Sequence, residues 1–212
     1  TFKEVIKEAT NHISNFSMGN DIGDINNDGW LDFISVDMVS TNNYDLKTSM
    51  SGMDPKRFQD MVDKGLHHQY MFNTLQLNNG KMLDGGVPAF SDIAQLAGVS
   101  NTNWSWAPLL FDMNNDGWQD LFVSNGVMRS FRNNDFIIYK RKRVMQLYED
   151  LKKTQNQDSL IKKYYEDVLA VMPEKKEVNL LYLNNKNFTF SEMSGEWNLT
   201  KPTSTNGAAY AD

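Results

Sequence analysis

The sequence predicts a mainly β protein built from about two repeats of a four-stranded antiparallel sheet, with helical insertions between the strands. Three observations predict this class. A segment led by phenylalanine recurs three times with an aspartate at a fixed distance, and a short segment of alternating apolar residues that ends in Asn-Asn occurs twice. Two further stretches place apolar residues at helical spacing. Internal repetition of this kind is typical of folds that stack one structural unit several times.

The phenylalanine-led segments align without gaps. Phe2, Phe90 and Phe190 each lie 22 residues before an aspartate. A hydroxyl residue and a small residue keep the same register inside the three intervals: Ser17, Ser105 and Thr205, then Gly19, Ala107 and Gly207. Chance rarely keeps four residue types in one register three times. We therefore interpret 2–24, 90–112 and 190–212 as copies of one unit.

The second repeated unit supplies the remaining strands. Residues 73–80 match residues 179–186, and each copy predicts a short strand closed by an Asn-Asn turn. Strand-like runs also follow each aspartate loop, at 31–36 and 120–124. Four short strands per repeat is the composition of a β-propeller blade. The repeat distances of 88 and 100 residues are long for blades, so insertions are required.

Two insertions are visible in the pattern of apolar residues. Residues 54–72 begin with Asp54 and Pro55, which are typical of a helix N-cap and first turn. Residues 134–172 predict a helical hairpin broken near 154–158 and stopped by Pro173. The predicted organisation is therefore as follows: 1–53 a partial blade with the first loop, 54–72 a helical insertion, 73–133 a blade with the second loop, 134–173 a helical hairpin, and 174–212 the start of the next blade.

The strongest chemical signal is a nine-residue pattern, D-x-N-x-D-G-x-x-D, which occurs at 24–32 and again at 112–120. Oxygen ligands at positions 1, 3, 5 and 9, with a backbone carbonyl at 7, can surround a hard cation, and glycine at position 6 permits the sharp turn. Ca²⁺ suits such an all-oxygen loop better than Mg²⁺, and Zn²⁺ would require His or Cys. An EF-hand would need an acid at position 12, where Ser35 and Val123 stand.

An ion-free interpretation of the same loops stays open. Asn and Asp favour turns through local side-chain hydrogen bonds, so the pattern could be an Asx-rich hairpin without a metal. The occurrence of two copies with identical acidic positions favours the metal interpretation.

Composition limits the partners. With 21 Lys and Arg against 27 Asp and Glu, the net charge is −6, which argues against a general nucleic-acid binder. No apolar run reaches the length of a membrane span, and residues 1–4 do not resemble a signal peptide, so we expect any export signal to be removed or to lie outside this chain. The sequence has no cysteine and therefore no disulfides.

At these residues the chain resembles the FG-GAP/VCBS repeat family, and more closely the bacterial surface proteins that combine such repeats with an ASPIC/UnbV domain. The resemblance is carried by 19–24 running into the first loop, by 75–80, and by 94–100 followed by Trp104-Ser105-Trp106. It implies an integrin-like β-propeller whose aspartate loops hold Ca²⁺ and stiffen the blades. The implied ligands are Asp24, Asn26, Asp28, the Trp30 carbonyl and Asp32, then Asp112, Asn114, Asp116, the Trp118 carbonyl and Asp120. Asp212 stands at position 1 of a third loop.

Two functional hypotheses follow from the resemblance. The first is a non-enzymatic, calcium-binding segment of a larger propeller, secreted or on the bacterial outer-membrane surface, which binds a protein or glycan partner and could be held by a lipid anchor outside this chain. The alternative is part of a calcium-dependent propeller enzyme such as a polysaccharide lyase. Structural roles are favoured for His67-His68, for the Trp104-Ser105-Trp106 segment and for the basic run 140–143.

Overall fold

The computed structural model describes residues 2–48, 54–154 and 156–211. Its strands are β1 (Ile13–Ser14), β2 (Gly19–Gly23), β3 (Asp32–Val36), β4 (Met38–Val39), β5 (Gln69–Tyr70), β6 (Thr74–Leu83), β7 (Val87–Asp92), β8 (Asn103–Phe111), β9 (Asp120–Asn125), β10 (Leu180–Asn184) and β11 (Phe190–Glu192). Its helices are α1 (Ile6–Ala9), α2 (Asn43–Thr48), α3 (Pro55–Asp63), α4 (Ala94–Ala97), α5 (Asn134–Leu151) and α6 (Gln157–Val171).

Two antiparallel sheets form the body of the protein. The first has the strand order β2-β3-β6-β7, and the second has the order β11-β10-β9-β8-β4. In both sheets the two strands around an aspartate loop are followed by the Asn-Asn strand and then by the phenylalanine-led strand. The prediction of a mainly β protein with antiparallel sheets and helices is confirmed. The first sheet takes strands from both of the predicted segments 1–53 and 73–133, because β6 pairs with β3 rather than with a strand beside the second loop.

Alternation of buried residues builds the main core between the sheets. In β3 the side chains of Ile34 and Val36 are fully buried, while those of Phe33 and Ser35 lie on the other face and are partly exposed. On that face Phe33 meets Phe90 of β7 edge-on, with ring centroids 5.1 Å apart. The buried apolar members of the core are Ile25, Ile34, Val36, Leu75, Ala94, Ala97, Val99, Leu110, Leu121, Val123, Leu180, Tyr182 and Phe190.

The two sheets meet most closely where β2 lies against β8. Asp21 on β2 accepts a hydrogen bond from the Leu110 backbone N–H at 2.7 Å. A Cβ at Gly19 would overlap the Trp106 carbonyl oxygen, so the backbones approach at a distance that only glycine allows. This contact fixes the first aspartate hairpin directly beside the second.

Each aspartate hairpin also contacts the start of the next repeat. After the first hairpin, β4 pairs with the start of β8. After the second, the Asn125 carbonyl accepts the Thr205 N–H at 3.0 Å. Further along the same C-terminal segment, the ring of Tyr210 stacks on Phe111 of β8 with centroids 4.7 Å apart. Residues 203–211 therefore lie beside the second sheet in the same way as β8 (residues 103–111) lies beside the first.

Helices occur in both of the stretches predicted to be helical, but the prediction for 54–72 is wrong beyond α3, because residues 69–70 form β5 and pair with β1. In the first, Asp54 caps α3 by accepting the backbone N–H groups of Lys56 and Arg57. The second stretch forms the pair α5 and α6, whose shared core contains the buried side chains of Phe136, Tyr164 and Val168. Among the described residues, no helix is long and apolar enough to cross a bilayer.

Candidate metal centre

The two aspartate loops have the same backbone conformation. The first loop connects β2 to β3, and the second connects β8 to β9. Asn27 and Gly29 of the first loop have positive φ values of 56° and 86°, and Asn115 and Gly117 of the second have 58° and 81°. Asparagine tolerates this left-handed region better than most residues, and glycine adopts it without a steric penalty. The residue types at positions 4 and 6 therefore allow the chain to fold back on its own side chains.

Side-chain oxygens converge inside the first loop. The two carboxylate oxygens of Asp24 accept the backbone N–H groups of Asp28 at 3.2 Å and of Gly29 at 2.9 Å. The amide of Asn26 donates from Nδ2 to Asp28 at 2.8 Å, and its Oδ1 accepts the Asp28 N–H at 3.3 Å. Asp28 in turn accepts the Trp30 N–H at 2.8 Å. The side chains at positions 1, 3 and 5 are thus bonded inside the loop, to its backbone and to one another.

The second loop repeats these bonds one for one. Asp112 accepts the N–H groups of Asp116 at 3.0 Å and of Gly117 at 2.7 Å. Asn114 exchanges the same pair of bonds with Asp116, at 3.1 Å and 3.3 Å, and Asp116 accepts the Trp118 N–H at 3.0 Å. The shared sequence pattern therefore specifies one shared local structure.

The aspartates at position 9 are buried and brace the loop against the Asn-Asn turn. Asp32 accepts the N–H of Ile25 at 3.0 Å with one oxygen and that of Asn78 at 2.8 Å with the other. Asp120 does the same with Met113 at 3.1 Å and with Asn184 at 2.9 Å.

Burial raises the pKa of both position-9 carboxyl groups. The backbone hydrogen bonds oppose this shift, and the other two loop carboxylates add to it in each case. The negative charges of each loop therefore act on one another.

The donor set fits Ca²⁺ chemically. Each loop offers three carboxylates and one amide oxygen, the hard oxygen ligands that Ca²⁺ prefers. The carbonyl oxygens of Trp30 and Trp118, at position 7, accept no hydrogen bond from any residue in the described part of the chain.

Within those same ranges no three His, Cys, Asp or Glu side chains are assembled as a metal cluster. The local bonds are those of Asx turns as well, so the ion-free interpretation predicts the same contacts. Asp212 lies outside the described residues.

The loops contact each other across the junction between the sheets. The Asn27 side chain donates to the Gly117 carbonyl at 2.9 Å. Asn184 donates to the Ile25 carbonyl of the first loop at 2.8 Å and to the Gln119 carbonyl of the second at 3.0 Å. The two candidate sites therefore form one polar edge of the protein.

One residue distinguishes the two sites. Lys186 lies 3.2 Å from Asp116, and its ammonium group lies 5.8 Å from the centroid of the Trp118 ring. Desolvation acts to raise the pKa of Asp116, but the hydrogen bonds from Lys186, the Trp118 N–H and Asn114, together with the charge of Lys186, bring the pKa below its usual value. At the equivalent turn of the first sheet stands Gly80, which lies beside the Trp30 indole and has no side chain to place over it.

The Asn-Asn turns belong to the site, although sequence reasoning assigned them only to the strands. Asn78 and Asn184 supply the N–H groups that hold the position-9 aspartates. Both asparagines also donate from their side chains to the carbonyl preceding that aspartate, at 3.3 Å and 3.0 Å. The recurrence of an Asn-Asn turn once for each aspartate loop was the signal that could have revealed this role.

The other candidate residues lie away from the loops. Trp104 is buried in a second core cluster, and the Trp106 indole N–H donates to the Gly126 carbonyl at 2.7 Å. His67 bonds to Thr10 at 3.1 Å rather than to a carboxylate. Arg143, the last residue of the basic run, forms an ion pair with Asp167 of α6 at 2.6 Å.

Comparison with known proteins gives no relative. No family model, no curated protein and no solved structure matches the chain.

Proposed function

We propose that this chain is a calcium-binding, non-catalytic segment of a larger β-propeller-like protein of the FG-GAP/VCBS type. The observation that carries the proposal is the identity of the two loops: the same nine-residue pattern gives the same backbone and the same side-chain hydrogen bonds twice. An incidental turn would not need an acid at three of the same positions in both copies. A shared ligand requirement explains why the acids recur together.

The electrostatics of the loops favour a cation. Three carboxylates per loop lie close enough to influence one another, and the contact between Asn27 and Gly117 brings the loops side by side. Without a counterion this edge concentrates negative charge, which is costly where one carboxylate of each set is buried. Two bound Ca²⁺ ions would change the formal net charge from −6 to about −2.

The sheets support the propeller part of the proposal. Apart from β4 at one edge of the second sheet, the strands of each sheet lie side by side in chain order, which is the arrangement of a propeller blade. The segment 203–211, which contacts Asn125 and Phe111, is then the first strand of a third blade. A propeller needs at least about four blades, so the remaining blades belong to the rest of a longer protein.

The biological role we infer is binding or assembly at the bacterial cell surface, with a protein or a glycan as partner. Calcium outside the cell is near millimolar, which saturates even weak loop sites of the extracellular class. Loops and insertions on a rigid scaffold are where partner recognition usually resides. In this protein the inserted helices α3, α5 and α6 are the elements that differ between the two repeats.

Calorimetric titration of the 212-residue chain with Ca²⁺ tests the proposal. We expect two sites, little heat from equimolar Mg²⁺, and loss of one site in each of Asp28→Ala and Asp116→Ala. The matched control is Asp84→Ala, an exposed acid in the turn between β6 and β7. Absence of Ca²⁺ binding at millimolar concentration would leave the ion-free interpretation of the loops.

A further inference from the structure

A cleft of about 110 Å³ lies between the start of the first repeat and the inserted helix α3. It is separate from the aspartate loops. Its lining includes Phe16, Asp54, Arg57, Phe58, Met71 and Arg132. Apolar walls and two guanidinium groups thus share one small opening, which is the usual composition of a site for a small amphiphilic ligand.

The two arginines carry the charge of the cleft. Within the described part of the chain, neither Arg57 nor Arg132 forms a side-chain hydrogen bond or an ion pair. The guanidinium of Arg132 is placed over the Phe16 ring, 4.5 Å from its centroid, which holds it at the cleft without using its donors. Two positive groups with free donors form a site for an anion, and planar guanidinium groups match a carboxylate in geometry.

The neighbouring acids are already engaged. Asp54 accepts the first two N–H groups of α3 with Oδ1. Asp37 lies buried behind the cleft, where its oxygens accept the N–H groups of Asn15, Phe16 and Met38. Neither acid forms an ion pair with a guanidinium within the described residues, although Arg132 lies close enough to Asp37 for its charge to oppose the rise that burial gives the pKa of Asp37.

The nearby histidine adds no positive charge. His67 accepts the His68 N–H at its Nδ1, at 2.9 Å, and its Nε2 lies 3.1 Å from the Thr10 hydroxyl. Desolvation lowers the pKa of His67 as well. The ring is therefore neutral at pH 7, and the attraction for an anion comes from the arginines.

The apolar walls are fixed by their own contacts. Phe58 stacks on Tyr70 with ring centroids 5.3 Å apart, and Tyr70 stacks on Phe72 at 5.8 Å. Phe16 and Met71 pack against the second core cluster. A cleft with walls of this kind exists before the ligand arrives, which lowers the entropic cost of binding.

We propose that this cleft binds a carboxylate that carries a short branched apolar chain, with Arg57 and Arg132 contacting the carboxylate and with Phe16, Phe58 and Met71 contacting the chain. Benzene occupies a cavity of about 150 Å³, so about 110 Å³ holds roughly four to six non-hydrogen atoms. Isobutyrate has that size. A free short-chain acid and the C-terminus of a peptide that ends in valine both present a carboxylate with a short branched apolar chain, and in valine the branch lies one carbon further from the carboxylate.

Calorimetry or ligand-detected NMR with isobutyrate and its neutral isostere isobutyramide tests the charge requirement. We expect isobutyrate to bind and isobutyramide to bind at least about tenfold more weakly, because a charge-assisted hydrogen bond is worth at least that factor. A second pair of probes, N-acetyl-Gly-Val as free acid and as amide, separates the two sources. Tighter binding of the peptide acid than of isobutyrate assigns the site to a peptide C-terminus, and the reverse assigns it to a free acid.

Variants locate the binding. Arg57→Gln and Arg132→Gln should each weaken isobutyrate about tenfold or more, and Arg132→Lys, which keeps the charge, should lose less. Arg141→Gln, an exposed arginine on α5, is the matched control and should bind like the parent. Equal binding of isobutyrate and isobutyramide, unchanged affinity in both glutamine variants, or tighter binding of inorganic phosphate than of isobutyrate would each overturn the proposal. Failure of all four carboxyl and amide probes to bind would do the same.

Discussion

Replacement of Asp28 by alanine separates the metal interpretation of the loops from the ion-free one. The Asp28 side chain is exposed and makes two local hydrogen bonds, one from the Trp30 N–H and one from the Asn26 amide, both at 2.8 Å. In EDTA the change removes only these bonds and relieves repulsion from Asp24. We therefore expect a loss of about 1 kcal/mol or less in the free energy of unfolding.

In calcium the same substitution should cost much more. A ligand at 100 times its dissociation constant stabilises the folded state by about 2.7 kcal/mol, and a loop that no longer binds loses that amount. For a chain of this size each kcal/mol shifts Tm by about 2–4 °C. The difference between parent and variant should therefore grow by about 5–11 °C between EDTA and saturating Ca²⁺.

Thermal melting followed by circular dichroism measures this difference. The design has four curves, parent and Asp28→Ala, each in EDTA and in 100-fold excess Ca²⁺ over the calorimetric Kd. Asp84→Ala serves as the control for the loss of one exposed acid, and its Tm difference should be the same in both buffers. If Asp28→Ala lowers Tm equally with and without calcium, the loop is an Asx-rich hairpin and the reasoning is wrong.

Three further predictions concern other parts of the structure. Gly19→Ala places a methyl group against a backbone carbonyl oxygen of β8 and should cost about 1–3 kcal/mol, which lowers Tm by roughly 2–12 °C. Gly207→Ala, at the equivalent position in open space, should melt like the parent. Equal melting of the two variants would contradict the close contact between the sheets. Burial raises the pKa of Glu177 above its usual 4.5, so the stability that Glu177 contributes is complete below pH 4.5 and is lost as the pH rises through the raised pKa. Glu177→Gln should therefore gain stability relative to the parent from pH 4.5 toward 7. Parallel curves of stability against pH for the two proteins would contradict this prediction. Lys186→Gly removes the ammonium group beside Asp116 and should tighten Ca²⁺ at the second loop by up to roughly fivefold without changing the first, an outcome that calorimetry resolves.

The sequence predicted local structure well where a residue type has one clear steric or hydrogen-bonding role. Gly29 and Gly117 have the positive φ that their position in the loop required, and Asp54 caps the helix that Asp-Pro indicated. Within the run 31–36, residues 32–36 form β3, with the apolar residues Ile34 and Val36 buried. In each of these cases the determinant lies within a few residues of its effect.

The grouping of strands into sheets could not be read in the same way. The repeat written along the sequence has no natural starting point, so β6 and β7 could equally precede the second loop or follow the first. The choice is made by non-local contacts: Asn78 reaches back 46 residues to Asp32, and Asn184 reaches 64 residues to Asp120. These pairings span the helical insertions, and the local periodicity of the sequence does not reveal which strands pair.

These non-local bonds also determine how a loop can influence its sheet. Among the contacts of the described residues, Asp32 is the one loop acid of the first site that bonds to a further strand, because its two oxygens join the loop backbone at Ile25 to β6 at Asn78. Any force that fixes the position of the Asp32 carboxylate therefore fixes the third strand relative to the first two. A cation that draws Asp24 and Asp28 toward Asp32 would stiffen the whole four-strand unit rather than the hairpin alone. The hydrogen-exchange protection of β6 should then depend on calcium as strongly as that of β3, although β6 contributes no ligand.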